Sequence, residues 1–351
     1  MKKQNLSSKK NVFCIVLAMF VCLFGLNNLW AQTAVLAHEG ELSIFYGPSS
    51  FAAAYNVAID GDVITLSEGN FSPCTVSKSI TVHGAGAFDD PVAGSFATHF
   101  IDNITVGSNP IIEGISFGTV SLADQSSPQF VKCNFGAIQP YVENGVHCQT
   151  VLLTNCFVLN LIGVVYWEYG YNHTSQTAYI DNYHLVNSVI WSLSNHTGQG
   201  HVVSNSIIRQ TSNTYSGSSY SNCVTYNSVF ILAGGYKPAN TCTFYNCIGI
   251  KNGNEGQVFE NSLNSTVVEY DNITDVFPAF VGEDIFNEEF ILDEGIAASF
   301  LGNNGTEVGI HGGYYPYSNR PGYMKVRHCT VGDRTTDDGH LSVDIEVVTE
   351  E

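Results

Sequence analysis

The sequence predicts an all-β chain wound as a parallel β-helix solenoid. Three observations carry this. First, Asn, then Cys or Ser, then a bulky apolar residue recurs as Asn155-Cys156-Phe157, Asn187-Ser188-Val189, Asn205-Ser206-Ile207, Asn227-Ser228-Val229 and Asn246-Cys247-Ile248. Looser copies precede these at Ile115-Ser116-Phe117 and Cys133-Asn134-Phe135, and the apolar members are spaced by 18, 22, 32, 18, 22 and 19 residues. Without the 32 the mean is 19.8, enough for three short strands and three turns but too short for a propeller blade, and no leucine-rich frame is present. Second, the intervening segments are β-branched and aromatic and carry no helical apolar period. Third, charged residues make up 13% and hydrophobic residues 44%, against about 25% charged in an average domain, so the chain is built to fold rather than to stay disordered.

The elements follow in order. Residues 1–11 are polar and basic, and residues 12–26 form an apolar run of signal-peptide length, with Ala31 before the expected cut. An uncleaved anchor is the alternative. No later run is long enough to span a bilayer. Residues 51–59 form a short amphipathic helix. Coils then stack about 4.8 Å apart, roughly ten of them. Asn suits the turn because it tolerates the left-handed backbone, and stacked Asn155, Asn187, Asn205, Asn227 and Asn246 are expected to bond one another in a ladder. The β-helix is expected over residues 45–321. After Pro321 the texture changes, and residues 324–331 and 341–348 read as a terminal hairpin within an appendage over 322–351.

These repeats resemble those of right-handed parallel β-helix proteins of the pectate-lyase-like architecture. Asp60-Gly61-Asp62-Val63-Ile64-Thr65-Leu66-Ser67-Glu68-Gly69 and Ser79-Ile80-Thr81-Val82-His83-Gly84-Ala85-Gly86 resemble that family's opening coils. Gly305-Thr306-Glu307-Val308-Gly309-Ile310-His311-Gly312-Gly313 resembles the segment that ends the helix in secreted bacterial members. The resemblance implies a capping helix at the N-terminal end and a secreted, periplasmic or cell-surface location. It implies little about activity, because this fold hosts lyases, hydrolases and adhesins alike. The family's arginine-containing lyase signature and the paired Asp-Asp and Gly-His-Gly motifs of its polygalacturonases are missing here.

The 32-residue spacing marks an insertion within 158–188. Tyr166, Trp167, Tyr169, Tyr171 and His173, with Trp191 close behind, offer flat ring faces with polar edges that suit sugars. The competing reading folds these aromatics back onto the solenoid. If the site is catalytic, Glu168 and Asp181 are the nearest carboxylate pair, and glycoside hydrolysis needs two of them about 5–9.5 Å apart. Residues 269–294 carry nine Asp and Glu and no Lys or Arg. Oxygen ligands at that density could hold Ca²⁺, but EF-hand spacing is absent and a solvated acidic face is the plainer reading. No cysteine spacing fits zinc, so no metal site is assigned. Cys223 and Cys242 fall in one column on adjacent coils, as a disulfide or as two buried thiols.

The formal charge is −19, and −23 once the four lysines of residues 1–11 are removed. Nucleic acid is excluded as a partner for want of a basic patch. The sequence thus supports an exported, non-enzymatic β-helix protein that binds polysaccharide through the aromatic insertion and needs no cofactor. A polysaccharide lyase or glycoside hydrolase on the same face is the first alternative, and an adhesin-type scaffold with a protein partner at the C-terminal appendage is the second.

Overall fold

In the computed structural model, residues 32–89, 96–143, 145–169, 174–194, 200–210, 222–233, 237–260, 263–318, 325–335 and 341–348 are described, with backbone only for 166–169, 174–177, 210, 264–265, 287, 325–335 and 341–348. The expected signal segment, residues 1–31, lies outside the described residues. The described residues are mostly strand, with three α-helices among them, and form a parallel β-solenoid of about eight turns. Successive coils pair in parallel register: Val186, Ser204 and Tyr226 follow one another in one wall, and Val189, Ile207, Val229 and Ile248 in the next. Eight turns rather than ten follow from the two ends. Thr33–His38 and Glu41–Tyr46 form an antiparallel hairpin, and the chain beyond Tyr270 leaves the ladder and folds back along the outside.

The turn expectation is met in the backbone. Asn155, Asn187, Asn205, Asn227 and Asn246 have φ of 53, 46, 47, 49 and 49°. Register extends this column to Gly114, Lys132 and Thr266, with φ of 67, 50 and 49°. This shifts the two looser repeats by one residue. The true turn residue before Cys133 is Lys132, and Asn134 only imitates the repeat Asn. Phe117 and Phe135 therefore stack with Val158, Ile190, Ile208 and Phe230, not with Phe157 and Val189. That column lines the interior, where Phe100, Phe117 and Phe135 stack face to face at 5.4 and 5.2 Å.

The Cys/Ser column is buried and forms its own ladder. The hydroxyls of Ser188, Ser206 and Ser228 donate to the carbonyls two residues earlier, at 2.9, 2.8 and 2.7 Å. Each also accepts a backbone N–H from the preceding coil: Cys156 to Ser188, Ser188 to Ser206 and Ser206 to Ser228, at 3.1, 3.2 and 3.1 Å. Cys133, Cys156 and Cys247 repeat the first bond with their thiols. Cys223 and Cys242 are buried thiols as well.

The apolar column beside it points outward and is nevertheless buried. Phe157, Val189, Ile207, Val229 and Ile248 form a second core with Val276, Phe277, Phe290, Leu292, Ile296, Val308 and Ile310. The segment 273–317 thus roofs one wall of the solenoid. Its last stretch lies over the Asn column, so the expected Asn-to-Asn bonds are replaced. Asn187 Nδ2 donates to the carbonyls of Ile310 and Gly312, at 2.9 and 2.6 Å. Asn227 exchanges bonds with Asn303 at 2.8 and 2.9 Å. The approach needs glycine: a Cβ on Gly312 would strike the Glu307 carbonyl and lie 2.8 Å from Asn205 Nδ2.

The helix Ser50–Val57 buries Phe51, Ala54 and Tyr55 at one end of the inner core. Val258 and Phe259 pack on Gly249 at the other. Residues 325–348 hold a separate two-stranded sheet, Lys325–Thr335 antiparallel to Leu341–Val348. Among the described residues no helix is long and apolar enough to cross a membrane.

Candidate binding face

With one wall roofed, the neighbouring wall is open. Its strands include His147–Thr154, Thr174–Val186, His201–Ser204, Cys223–Tyr226 and the first residues of Thr243–Ile250. Alternation decides what faces out: Leu153, Leu185 and Val203 are buried, while His184 and Val202 are exposed. Two outward columns result, Leu152, His184, Val202, Val224 and Thr243, and beside it Thr154, Val186, Ser204, Tyr226 and Tyr245. Over these five coils neither contains Lys, Arg, Asp or Glu, although the second column runs on through Val131 to Glu113.

Two ring pairs mark this wall. Tyr226 and Tyr245 stack at 5.1 Å with ring planes 11° apart, because the register places them one coil apart in one column. Further along the strand direction, His147 stacks on Tyr179 at 5.1 Å. The His147 Nδ1 lies 3.1 Å from Asp181 Oδ1, and both side chains are nearly half exposed. The His147 N–H donates to Asp124 Oδ1 at 2.9 Å, which holds the strand entry in place. Gln149 Nε2 donates to Gln125 Oε1 at 2.6 Å, and Asn182 Nδ2 to the Gln149 carbonyl at 3.3 Å. Rings and amide edges therefore share one surface.

The insertion proves to be an arm of the same wall. Val164–Tyr169 pairs antiparallel with the first half of Thr174–Val186, and the second half of that strand enters the coil ladder. Tyr166, Trp167, Glu168 and Tyr169 sit on the arm, while Tyr171 and His173 lie outside the described residues. Glu168 faces Ser175 across the hairpin, six residues before Asp181. At about 3.3 Å per residue that is roughly 20 Å of strand, beyond the reach of a two-carboxylate glycosidase site. The structure brings Asp181 to His147 instead.

Trp191, one of the expected binding residues, is partly buried on the roofed wall. Its ring packs on Phe280 and Phe290 at 5.8 and 6.0 Å, under the roofing segment, with the Arg209 guanidinium 4.9 Å from its centroid. The acidic stretch is spent locally. Glu269 accepts from the Phe259 N–H, Asp271 pairs with Lys251, Glu288 accepts from the N–H groups of Val281 and Gly282, and Asp293 caps the helix Glu294–Ser299. Among the described residues no three His, Cys, Asp or Glu gather as a metal site. Burial pushes the Cys148 and Cys242 thiols up to about 11 and Cys247 to about 12, so these groups stay protonated at neutral pH.

No protein-family model matches the chain, and no curated protein matches it. The fold and this wall therefore carry the functional reading alone. Tyr179 belongs to the aromatic insertion that the sequence marks, whereas nothing in the sequence singled out His147, Tyr226 or Tyr245, although one signal for the last two was present. Each directly precedes a repeat Asn, Asn227 and Asn246, and like positions on adjacent coils stack.

Proposed function

We propose that this is an exported solenoid that binds a neutral polysaccharide along its open wall, without cleaving it. The observation that carries the reading is the Tyr226–Tyr245 stack on a wall whose two outward columns, from Leu152 and Thr154 onward, hold no Lys, Arg, Asp or Glu. Flat rings with polar edges accept the apolar faces of sugar rings, and the amides of Gln125, Gln149 and Asn182 supply donors further along the same wall, near His147 and Tyr179. The chain charge of −19 disfavours uronates, which a polyanionic protein repels. The strand Val164–Tyr169 pairs with Thr174–Val186 of the same wall, which supports a ligand path that continues onto the insertion.

A second reading rests on His147 and Asp181, whose 3.1 Å contact orients an imidazole as a carboxylate-supported base. That reading makes the protein a polysaccharide-cleaving enzyme. One experiment separates them: retention on a panel of neutral and acidic polysaccharides, with new chain ends assayed in the same samples. Retention on neutral glycans without new ends, lost in Tyr226→Ala, supports binding. New ends, abolished in His147→Gln, establish turnover. Preference for uronate polymers refutes the neutral-ligand assignment.

A further inference from the structure

We propose that the strand Glu41–Tyr46 is the seam of a two-fold homodimer. The strand pairs on one side with Thr33–His38 in unbroken register, and among the described residues its other edge has no ladder partner. An exposed edge is normally blunted by lysine, proline, a bulge or a covering element. This strand, Glu-Leu-Ser-Ile-Phe-Tyr, has a charge only at its first position, Glu41, no proline and no register shift. It also presents large apolar groups: Leu42, Ile44 and Tyr46 are 69, 54 and 71% exposed. Phe45, on the opposite face, packs against the inner core and fixes which face turns out. The result is an apolar stripe bordering a row of open backbone donors and acceptors.

A second copy of this chain fits that edge. Antiparallel pairing about a two-fold axis through Ile44 sets Ile44 opposite Ile44 and Leu42 opposite Tyr46. Leu42, Ile44 and Tyr46 then form one continuous apolar face across both strands. Glu41 falls opposite Gly47, so no like charges meet. The interface is isologous and closes after two copies. No ion pair holds the seam, and each chain carries −19. Salt that screens this repulsion therefore strengthens the dimer. A six-residue strand buries less than a standard permanent interface, so association is reversible and concentration-dependent.

The test is sedimentation equilibrium of the full chain at low and high salt, with the variants Ile44→Lys, Ile44→Cys and Leu42→Cys. The expected result is a monomer–dimer equilibrium that tightens with salt. Ile44→Lys should weaken it about a hundredfold, because two lysines would meet at the axis. Under mild oxidation Ile44→Cys should form a covalent dimer and Leu42→Cys should not, with the unmutated chain as control for the native thiols. The proposal is overturned by a monomer at all concentrations and salts, or by open-ended oligomers. It is equally overturned by a dimer that survives Ile44→Lys, which would place the contact elsewhere, residues 1–31 included, or by crosslinking at Leu42→Cys as fast as at Ile44→Cys.

Discussion

The side-chain amide of Asn187 donates to the carbonyl of Ile310, 123 positions further along the chain, at 2.9 Å. The same nitrogen reaches Gly312 at 2.6 Å. A turn residue chosen for its left-handed backbone is thus also the anchor of the roof. Its backbone role belongs to one coil, whereas its side-chain role joins the solenoid to the segment that covers it.

Two substitutions separate those roles. Asn187→Gly keeps the left-handed turn and removes both hydrogen bonds. It should cost about 1–3 kcal/mol, chiefly for the Gly312 carbonyl, since the Ile310 carbonyl keeps the N–H of Tyr317. Asn187→Val should cost more, since a β-branched residue is strained at φ of 46°. Urea unfolding measures the totals. Amide exchange in residues 301–317 should rise in both variants if the anchor holds the roof, and equal protection to the unmutated chain would refute that.

Ser206 gives a second test, inside the wall. Its hydroxyl accepts the Ser188 N–H and donates to the Ser204 carbonyl. Ser206→Ala leaves a fully buried N–H unsatisfied and should lose about 1–3 kcal/mol. Ser206→Cys should lose less, because Cys133, Cys156 and Cys247 already occupy this column and bond the same carbonyl position. Equal losses for the two variants would show that the column acts by shape and not by hydrogen bonding.

Periodicity exposes whatever stacks on its own copy. The Asn turns, the Cys/Ser column and the outward apolar column of the central coils were legible for this reason, as was the short helix near residue 50. Lys132 and Gly114 broke the pattern by type while keeping its backbone, and so the register of Phe117 and Phe135 was misread. Contacts such as Asn187 to Ile310 or Trp191 to Phe290 repeat nowhere. No spacing announces them, and the roof, together with the loss of Trp191 from the site, emerged only from the fold. The open wall was half legible: the insertion arm showed as excess length, but His147 and Asp181 are 34 residues apart and meet only through parallel stacking.

The buried His201 makes the fold acid-sensitive. Its ring stacks on Tyr183 at 3.8 Å, and its Nδ1 accepts the Tyr183 N–H. Burial, with His184 nearby, pushes its pKa down from 6.5 to about 4. Because the folded value is the lower one, the unfolded chain takes up the proton first as pH falls. Stability is therefore full above about pH 6.5 and declines toward pH 4, by about 3 kcal/mol from this group alone. Thermal melts from pH 7 to 4 in His201→Phe should show a shallower decline than the unmutated chain. Parallel curves would assign the acid sensitivity to other groups.

Trp191 and Tyr245 make the sharpest contrast, because they are aromatic residues on adjacent walls with opposite surroundings. Trp191 lies against Phe280, Phe290 and Arg209 under the roof. Trp191→Ala should cost about 2 kcal/mol of stability, less than a fully buried tryptophan would, and leave glycan retention unchanged. Tyr245 is 37% exposed and touches Tyr226 ring to ring. Tyr245→Ala should change stability by about 0.5–1 kcal/mol, the value of a cross-strand aromatic pair, yet reduce glycan affinity about five- to tenfold if each stacked ring contributes about 1–1.5 kcal/mol. Denaturant midpoints and affinity electrophoresis in polysaccharide gels, run on both variants, read the two effects independently. Loss of retention in Trp191→Ala with Tyr245→Ala unaffected would move the ligand from the open wall to the roofed one and reverse the assignment made here.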